Sequence, residues 1–351
     1  MKMKTRLKII IYLCLVCLTT GMQNAEAKHL KERPKVGLVL GGGGAKGAAT
    51  VGALKYIEKS GIPIDYIAGT SIGSIVGGLY ACGYRSEELD SMFRTQEWMS
   101  LLTDRNEELS GKPLAKRNGI TYFFGFPIAR KGSKLIDKSV GMVRGDKILA
   151  LLGSMTTSKL SAASKPSLHH QDSISFDSLP IPFRCVATDY INRRKVVLQS
   201  GNLARSMRAS MAIPAAFKAI DIDGVELLDG GLVDNLPVDV VLDMGADIVI
   251  AIDLTVNKHE DSKAWKRERR GRKYEDAESY LGQLLRWVTQ RPDLNQYQEN
   301  LQHIDVYINP NLKGFSAASF SEKKVAEMIL RGEEAGEKAM KELKKVRKKT
   351  R

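Results

Sequence analysis

The stretch Gly69-Thr70-Ser71-Ile72-Gly73 decides the fold, because it lies between the apolar run Ile62 to Ala68 and a small-residue helical pattern from Ser74 to Cys82. This order predicts a strand, a sharp turn and a helix. In a turn of this kind a serine takes a strained backbone conformation at the tip, and the residues two before and two after it must lack bulk. Gly69 and Gly73 meet that condition. The spacing therefore predicts Ser71 as a nucleophile at the start of a helix, where unpaired N–H groups favour negative charge.

Two more glycine-marked turns follow predicted strands. The strand Val36 to Leu40 runs directly into Gly41 to Gly47, and a helical pattern from Ala48 to Lys59 comes next. The strand Val225 to Leu228 runs into Asp229-Gly230-Gly231. The repeated strand–helix order predicts a mainly parallel sheet. Ligands bind at the carboxyl ends of the strands in such sheets, so the three turns predict a single site.

The chemistry expected of this site is acyl transfer. Ser71 supplies the nucleophile, Asp229 is a carboxylate with two glycines beside it, and the first glycine loop offers backbone N–H groups to an oxyanion. Loss of one such donor costs on the order of 10²–10³ in rate. The histidines His29, His169, His170, His259 and His303 do not follow predicted strand ends in a turn that would aim them at Ser71.

A nucleotide site in the first loop is the alternative that the sequence argues against. Gly42, Gly44 and Gly47 fit the G-x-G-x-x-G pattern of dinucleotide-binding loops. The acidic residue about 20 positions on would be Asp65, which precedes the second strand instead of ending it. Lys46 comes before the last glycine, so the phosphate loop of nucleotide hydrolases does not fit either.

The three turns resemble the marks of the patatin-like phospholipases, which are a glycine-rich loop with a basic residue, a G-x-S-x-G elbow and an Asp-Gly-Gly or Asp-Gly-Ala turn. The resemblance covers roughly Val36 to Leu254. It continues through Phe176 to Phe183, Ala187-Thr188-Asp189, Ala209-Ser210, Ile213-Pro214 and Asn235-Leu236-Pro237. It implies an α/β fold, a three-layer α/β/α sandwich with a mainly parallel central sheet, and a catalytic domain over residues 36–254.

The resemblance also implies a role for each matching residue. Ser71 and Asp229 would form a Ser-Asp dyad, with Asp229 as the proton acceptor. Gly42, Gly43 and Gly44 would form the oxyanion hole, with Gly43 and Gly44 as the expected donors. Supporting motif positions are Lys46, Gly47, Gly69, Gly73, Gly230 and Gly231. Lys46 matches the basic residue of the family's loop, and an ordinary packing or solvent-facing lysine is the other interpretation.

The function that follows from the resemblance is hydrolysis of lipid acyl esters, of the phospholipase A or lysophospholipase type, through an acyl-enzyme in lipid catabolism. No metal and no organic cofactor is expected. Two alternatives are kept: a thioesterase or transacylase with the same acyl-enzyme, and a non-catalytic lipid-binding protein of the cell envelope.

The first 27 residues predict a signal peptide. Lys2, Lys4, Arg6 and Lys8 precede the apolar run Ile9 to Leu18, and Ala25-Glu26-Ala27 gives a small-residue cleavage site. The apolar run is shorter than the roughly 20 residues of a membrane span. Export to the periplasm or cell envelope, or secretion, is therefore expected, with residues 28–35 as a short leader. Only Cys82 and Cys185 would remain, so we predict core cysteines rather than a disulfide scaffold.

The formal net charge is +14, and basic residues gather in Lys263 to Lys273 and in Lys338 to Arg351. Residues 255–351 are predicted as a charged segment, a strand at Ile304 to Ile308 and an amphipathic helix from Glu322 to Lys345 with a basic end. The basic runs are either solvated surface or a site for anionic lipid head groups, where each Lys or Arg contributes roughly 1 kcal/mol. Nucleic acid is not expected as a partner, because aromatic platforms and zinc spacings are lacking.

Two stretches of the central region lie outside the three turns, and the second of them allows two interpretations. Gly145 to Leu152 predicts a helix, followed by a Ser-rich insertion from Ser154 to Ser175. Large apolar residues flank the polar stretch from Thr103 to Asn118, with Trp98, Met99, Leu101 and Leu102 on one side and Tyr122, Phe123, Phe124 and Phe126 on the other. They are either core residues, as such residues mostly are, or a lipid-facing rim.

Overall fold

A computed structural model describes residues 33–104, 143–162, 173–214, 216–255 and 292–351, and the backbone of three short strands between residues 116 and 128. The predicted signal peptide, the His169-His170 pair, the aromatic residues 122–126 as side chains, and the basic run 263–273 lie outside this description. The strands are β1 (Val36–Leu40), β2 (Tyr66–Thr70), β3 (Lys116–Arg117), β4 (Ile120–Phe123), β5 (Phe126–Ile128), β6 (Ile174–Ser175), β7 (Phe183–Asp189), β8 (Arg194–Leu198), β9 (Ser200–Gly201), β10 (Ile220–Ile222), β11 (Val225–Asp229), β12 (Ile248–Ile252) and β13 (Val306–Ile308). The helices are α1 (Gly47–Ser60), α2 (Ile72–Ala81), α3 (Ser86–Thr95), α4 (Trp98–Thr103), α5 (Asp146–Ala162), α6 (Leu203–Ser210), α7 (Val238–Asp243), α8 (Leu294–Leu301) and α9 (Glu322–Lys349).

The central sheet has the strand order β10-β11-β7-β2-β1-β12-β13, and β8 pairs with β7. Strands β7, β2, β1, β12 and β13 are parallel to one another. Strands β8, β10 and β11 join antiparallel. The mainly parallel sheet predicted from the strand–helix order is confirmed.

Helices cover both faces of the sheet, and β1 shows how the sequence specifies this. Val36, Leu38 and Leu40 belong to the apolar core that includes α1, α2, α6 and α9. Val39 belongs to a second core, on the opposite face, with residues of α7 and α8. Because successive side chains of a strand point to opposite faces, a continuous apolar run is what a strand covered on both sides requires. The α/β/α sandwich is thus confirmed.

The two edges of the parallel sheet are chemically different. At the carboxyl edge of the parallel strands, β1 runs into the glycine loop and β2 runs into Ser71. Asp229 of the antiparallel strand β11 pairs with Ala187 of β7, level with Ser71, and we call this the dyad edge. At the opposite edge, carboxylates fix the strand starts: Asp65 accepts the Val36 N–H at 2.8 Å, and Asp247 accepts the Lys35 N–H at 2.7 Å. The three glycine-marked turns therefore meet at one edge, although β11, unlike the predicted parallel strands, runs antiparallel to β7.

The long helix α9 lies against α1 at a distance that only glycines allow. A Cβ on Gly332 would lie 1.9 Å from the Ala49 carbonyl oxygen, and a Cβ on Gly52 would lie 2.0 Å from the Ile329 carbonyl oxygen. Helix axes normally lie 8–10 Å apart, and small residues at the contact give the closest approach. Gly332 lies against Ala49, Gly336 against Ala53, and Arg347 against Gly61, so the contacts advance together along both helices and α9 runs parallel to α1.

Replacement of Gly332 with alanine is expected to destabilise the protein by about 1–3 kcal/mol, because the added methyl group meets backbone that cannot rotate away. Gly153 in α5 is the matched control, since a Cβ there meets nothing within 4 Å. Gly153→Ala should gain up to about 1 kcal/mol from helix propensity alone. Denaturant unfolding of both variants tests the contact, and equal effects would contradict it.

Helix α5 is longer than predicted. The sequence predicted a helix to Leu152 and an insertion from Ser154, but α5 continues to Ala162. The hydroxyl groups explain why poor helix formers are accepted there: Ser154 donates to the Leu151 carbonyl at 2.8 Å, and Thr157 donates to the Gly153 carbonyl at 2.7 Å. Thr156 and Leu160 are buried and anchor the added turns.

Trp98 is a core residue, as one of the two interpretations had it. It is 4% exposed, and its ring lies 4.9 Å from that of Phe93 and 5.8 Å from that of Phe320.

Cys82 and Cys185 are buried free thiols, in agreement with the prediction of core cysteines. Within the described ranges, no helix is both long and apolar enough to cross a membrane.

Candidate active site

The elbow around Ser71 has the geometry that its glycines predicted. Ser71 takes φ 56° and ψ −127°, in a region that side chains rarely occupy. A Cβ on Gly69 would lie 2.4 Å from the Gly73 carbonyl oxygen, and a Cβ on Gly73 would lie 2.1 Å from the Leu40 carbonyl oxygen. The turn closes only because Gly69 lacks a side chain, and it packs against the end of β1 only because Gly73 lacks one. Ser71 is thereby placed at the N-cap of α2.

Hydrogen bonds from distant residues hold the Ser71 backbone. Its N–H donates to the Ser210 hydroxyl at 2.8 Å, and that hydroxyl donates to the Val186 carbonyl. Its carbonyl accepts the Ser74 hydroxyl at 2.7 Å. The strained conformation is therefore fixed by α6 and β7 as well as by the turn itself.

Ser71 and Asp229 are in direct contact. The Ser71 hydroxyl donates to Asp229 Oδ2 at 2.7 Å, and the Gly231 N–H donates to Oδ1 of the same carboxylate at 2.8 Å. The Asp229 backbone is held on both sides: its N–H donates to the Ala212 carbonyl at 3.0 Å, and its carbonyl accepts the Thr188 hydroxyl at 2.8 Å. The carboxylate thus presents one oxygen to Ser71 with its orientation fixed.

The pair lies out of water. Ser71 is 5% exposed and Asp229 is 6% exposed. Burial raises the pKa of Asp229 to about 6, and the hydrogen bonds from Ser71 and the Gly231 N–H act in the opposite direction. A carboxylate of ordinary pKa would be a weak base, so the raised pKa makes Asp229 a better proton acceptor at neutral pH.

The first glycine loop lies directly against Ser71. A Cβ on Gly42 would lie 3.0 Å from Ser71 Cβ and 2.4 Å from the Asn235 side-chain oxygen. The Gly42 N–H donates to the Asn235 carbonyl at 3.1 Å and is therefore engaged. Gly44 has φ 58°, a left-handed conformation that favours glycine. Among the described backbone, no carbonyl accepts from the Gly43 or Gly44 N–H, so Gly43 and Gly44 stay the predicted oxyanion donors.

The remaining motif positions support the packing of the site. Gly47 lies against Ile72, where a Cβ would be 2.1 Å from a side-chain carbon, and Gly230 lies against the Val186 carbonyl. Lys46 is half-buried in the single turn after the glycine loop. Its part in catalysis stays a prediction.

A buried charged cluster fixes the chain that follows Asp229. Asp234 is 1% exposed and accepts Lys195 Nζ at 3.0 Å and the Asn300 amide at 3.2 Å. Asp239 bonds the same lysine. The Asp234 carbonyl accepts the Thr70 hydroxyl at 2.9 Å. The cluster therefore ties the loop that carries Asn235 to β2, next to Ser71, and to α8.

The described residues offer no other catalytic partner to Ser71. The histidine among them, His303, is exposed and precedes β13, at the edge of the sheet opposite to Ser71. No group of three or more metal-binding side chains occurs in this part of the chain. The arrangement is one that can activate a hydroxyl nucleophile with a carboxylate.

The contacts of Ser210, Thr188 and Asn235 were not predicted as parts of the site. All three were noted only because they match the family pattern, and the hydrogen bonds of Ser210 and Asn235 to the site join residues 139 and 193 positions apart. No local pattern in the sequence signals such contacts.

Comparison with known proteins gives an independent view. The family model described as patatin-like phospholipase matches residues 38–242. An uncharacterised NTE family protein of Mycobacterium tuberculosis is 32% identical over 224 residues, which are 63% of this chain and 49% of the relative. The lysophospholipase NTE1 of Mycosarcoma maydis is 33% identical over 219 residues, 62% of this chain and 10% of the relative. The patatin-like phospholipase domain-containing protein 6 of Mus musculus is 32% identical over 223 residues, 62% of this chain and 13% of the relative.

The chain spans about half the length of the mycobacterial relatives and a smaller share of the others. Among solved structures, VipD from Legionella pneumophila is similar with a TM-score of 0.52 and 14% sequence identity, over 88% of this chain and 67% of that chain. At this identity the likeness concerns the fold alone, and it agrees with the α/β/α sandwich.

Proposed function

The chain belongs to the patatin-like phospholipase family, and we propose that it hydrolyses acyl esters of lipids with Ser71 and Asp229 as a catalytic dyad. The observation that carries the proposal is the 2.7 Å hydrogen bond from the Ser71 hydroxyl to the buried Asp229 carboxylate. Lysophospholipase and phospholipase appear in the names of two relatives, and we extend the lipid substrate class from them to this chain.

The first half of the reaction forms an acyl-enzyme. The Ser71 oxygen attacks the ester carbonyl while its proton passes to Asp229 Oδ2, and the carbonyl oxygen becomes an oxyanion. The N–H groups of Gly43 and Gly44 stabilise that oxyanion. Collapse of the tetrahedral intermediate breaks the ester bond, and the leaving alcohol takes the proton from Asp229.

The second half releases the acid. Water attacks the acyl-enzyme and gives its proton to Asp229, the second tetrahedral intermediate collapses, and Ser71 recovers its proton. The products are the alcohol and the free carboxylic acid. The Gly231 N–H keeps Oδ2 directed at Ser71 throughout, because it holds Oδ1.

Release of fatty acid from defined lipids tests this proposal. The chain is incubated with a phospholipid, the matching lysophospholipid, a triacylglycerol and an acyl thioester of equal chain length, and products are identified by mass spectrometry. A fluorophosphonate probe, which reports activated serines, should label Ser71. Free fatty acid from the oxygen esters is expected.

Three results would contradict it. Cleavage of the thioester alone would indicate a thioesterase, and transfer of the acyl group to an added alcohol in place of water would indicate a transacylase. Lipid binding without any release would indicate the non-catalytic alternative.

We also propose that the chain is exported to the cell envelope, on the pattern of Met1 to Ala27.

A further inference from the structure

The last turns of α9 present a strongly basic surface. We call residues 341–351 the basic end. Its exposed bases are Lys341, Lys344, Lys345, Lys348, Lys349 and Arg351, and Glu342 is the acidic residue in this stretch. Leu343 and Val346 are buried and pack the helix onto the domain. The basic end is therefore held in place by the core and does not depend on the charges for its position.

The direction of α9 puts the basic end at the edge of the sheet opposite to the dyad. Shortly before α9 begins, the Ala317 carbonyl accepts the Ala45 N–H at 2.8 Å, beside the glycine loop. Near its end, the Arg347 guanidinium lies beside Gly61, which follows α1. Helix α1 has 14 residues, and at 1.5 Å per residue it separates these two contacts by about 20 Å.

This distance is longer than the range of the electrostatic attraction that the basic end exerts. Electrostatic attraction in physiological salt is screened over about 8 Å. The basic end therefore does not draw an anionic lipid surface toward the dyad edge. A flat membrane that meets the last turns of α9 end-on lies about 20 Å from the level of the glycine loop. From the sequence alone, the basic tail could have lain on the surface that meets the substrate. The direction of α9 places the basic end away from Ser71.

We propose that the basic end docks the protein on an anionic lipid membrane, with the dyad edge facing away from that membrane. Six exposed bases against one acid complement a surface of anionic head groups. The orientation of the dyad edge bears on catalysis only through the proposed function, whereas the docking itself rests on the charge of the basic end. The substrate then reaches Ser71 from the aqueous side, as a dispersed acyl ester or as lipid of a facing membrane.

Paired lysine variants at the two ends of α9 test the docking surface. The test pair is Lys344→Gln with Lys345→Gln, and the matched control is Lys323→Gln with Lys324→Gln, which are equally exposed at the other end of the same helix. Glutamine is a good helix former, so both variants should fold. All proteins carry Ser71→Ala, so that vesicles stay intact and binding is measured apart from hydrolysis.

Sedimentation with vesicles of equal parts phosphatidylcholine and phosphatidylglycerol measures the fraction of each protein that is bound to the vesicles. Each base near an anionic surface contributes about fivefold (about 1 kcal/mol). The test pair is expected to bind on the order of 20-fold more weakly, and the control pair like the parent. Vesicles of phosphatidylcholine alone should bind none of the three. Equal binding by the test pair and the parent, or equal weakening in the control pair, would overturn the proposal.

Two further measurements separate this proposal from the proposed function. With Ser71 intact, the test pair should hydrolyse a dispersed ester at the parental rate, and vesicle binding should not accelerate hydrolysis of the vesicle's own lipid. Faster hydrolysis by docked protein than by the test pair would overturn the orientation. Binding to heparin without binding to anionic vesicles would overturn the membrane as partner. Docking with no hydrolysis at all would refute only the enzymatic function.

Discussion

Hydrolysis of a short-chain acyl ester by the Ser71→Ala variant is expected to fall by a factor on the order of 10⁴ or more, because the nucleophile is removed and no acyl-enzyme forms. The rate that remains is the acceleration that the glycine loop and substrate binding supply without the nucleophile. The fold should persist, since among the described residues the lost hydroxyl bonds to Asp229 alone. Initial rates with a chromogenic ester and thermal unfolding measure the two effects separately.

Ser74→Ala is the matched control for this prediction. Ser74 is a buried serine three residues later in the same helix, and its hydroxyl donates to the Ser71 carbonyl. Loss of one such bond costs about 1 kcal/mol, so activity should change by less than about tenfold. A Ser71→Ala variant that keeps activity within tenfold of the parent would mean that another group is the nucleophile.

Asp229→Asn is expected to lower kcat/KM by about 10²–10⁴, because an amide of the same shape cannot accept the serine proton. The amide nitrogen would donate to Ser71 where the carboxylate accepts, which reverses the hydrogen bond that activates the nucleophile.

The native enzyme supplies a second readout. Its kcat/KM should rise with pH through about 6, the pKa of the buried carboxylate, and level off above it. A profile that is flat between pH 5 and 7 would exclude Asp229 as the base.

The same substitution should make the protein more stable at neutral pH. The Asp229 pKa is about 6 in the fold and 3.8 as its ordinary value. The folded state thus binds the proton more tightly than the unfolded chain, so stability falls as pH rises through this interval. The ionised carboxylate costs up to about 3 kcal/mol that the neutral amide does not. A higher Tm with lower activity is expected, and a lower Tm would contradict the burial argument.

The turns of the site could be predicted from sequence because short-range sterics control them. Gly69 and Gly73 flank Ser71 within five residues, and a Cβ on Gly69 would meet the Gly73 carbonyl oxygen of the same turn. The residues at which strands and helices begin and end were less predictable. The second strand was expected over Ile62 to Ala68 and runs over Tyr66–Thr70, because apolar residues alternate with turn residues before Tyr66 and the strand extends to the elbow itself.

Support of the site from distant residues could not be predicted. The Ser210 hydroxyl that holds the Ser71 N–H comes from α6, and the Asn300 amide that holds Asp234 comes from α8. Neither contact has a local pattern, since each follows from how helices pack on the sheet. Amphipathic spacing predicted α9 itself, and its direction follows from the sheet: β13 is parallel to β12 and ends at the dyad edge, so the helix that follows it starts there and runs back.

The pairing of α1 with α9 has a consequence for how the molecule is made. Helix α1 ends at Ser60, and its partner is complete only at Lys349. At 5–20 residues per second, roughly 15–60 s of synthesis separate the two. During this time the glycine face of α1 has no helix to cover it, and the glycine loop lacks its contact with Ala317. The α1–α9 contact and the contact of the glycine loop with Ala317 therefore form late in synthesis, after the strands from β1 to β13 have been made.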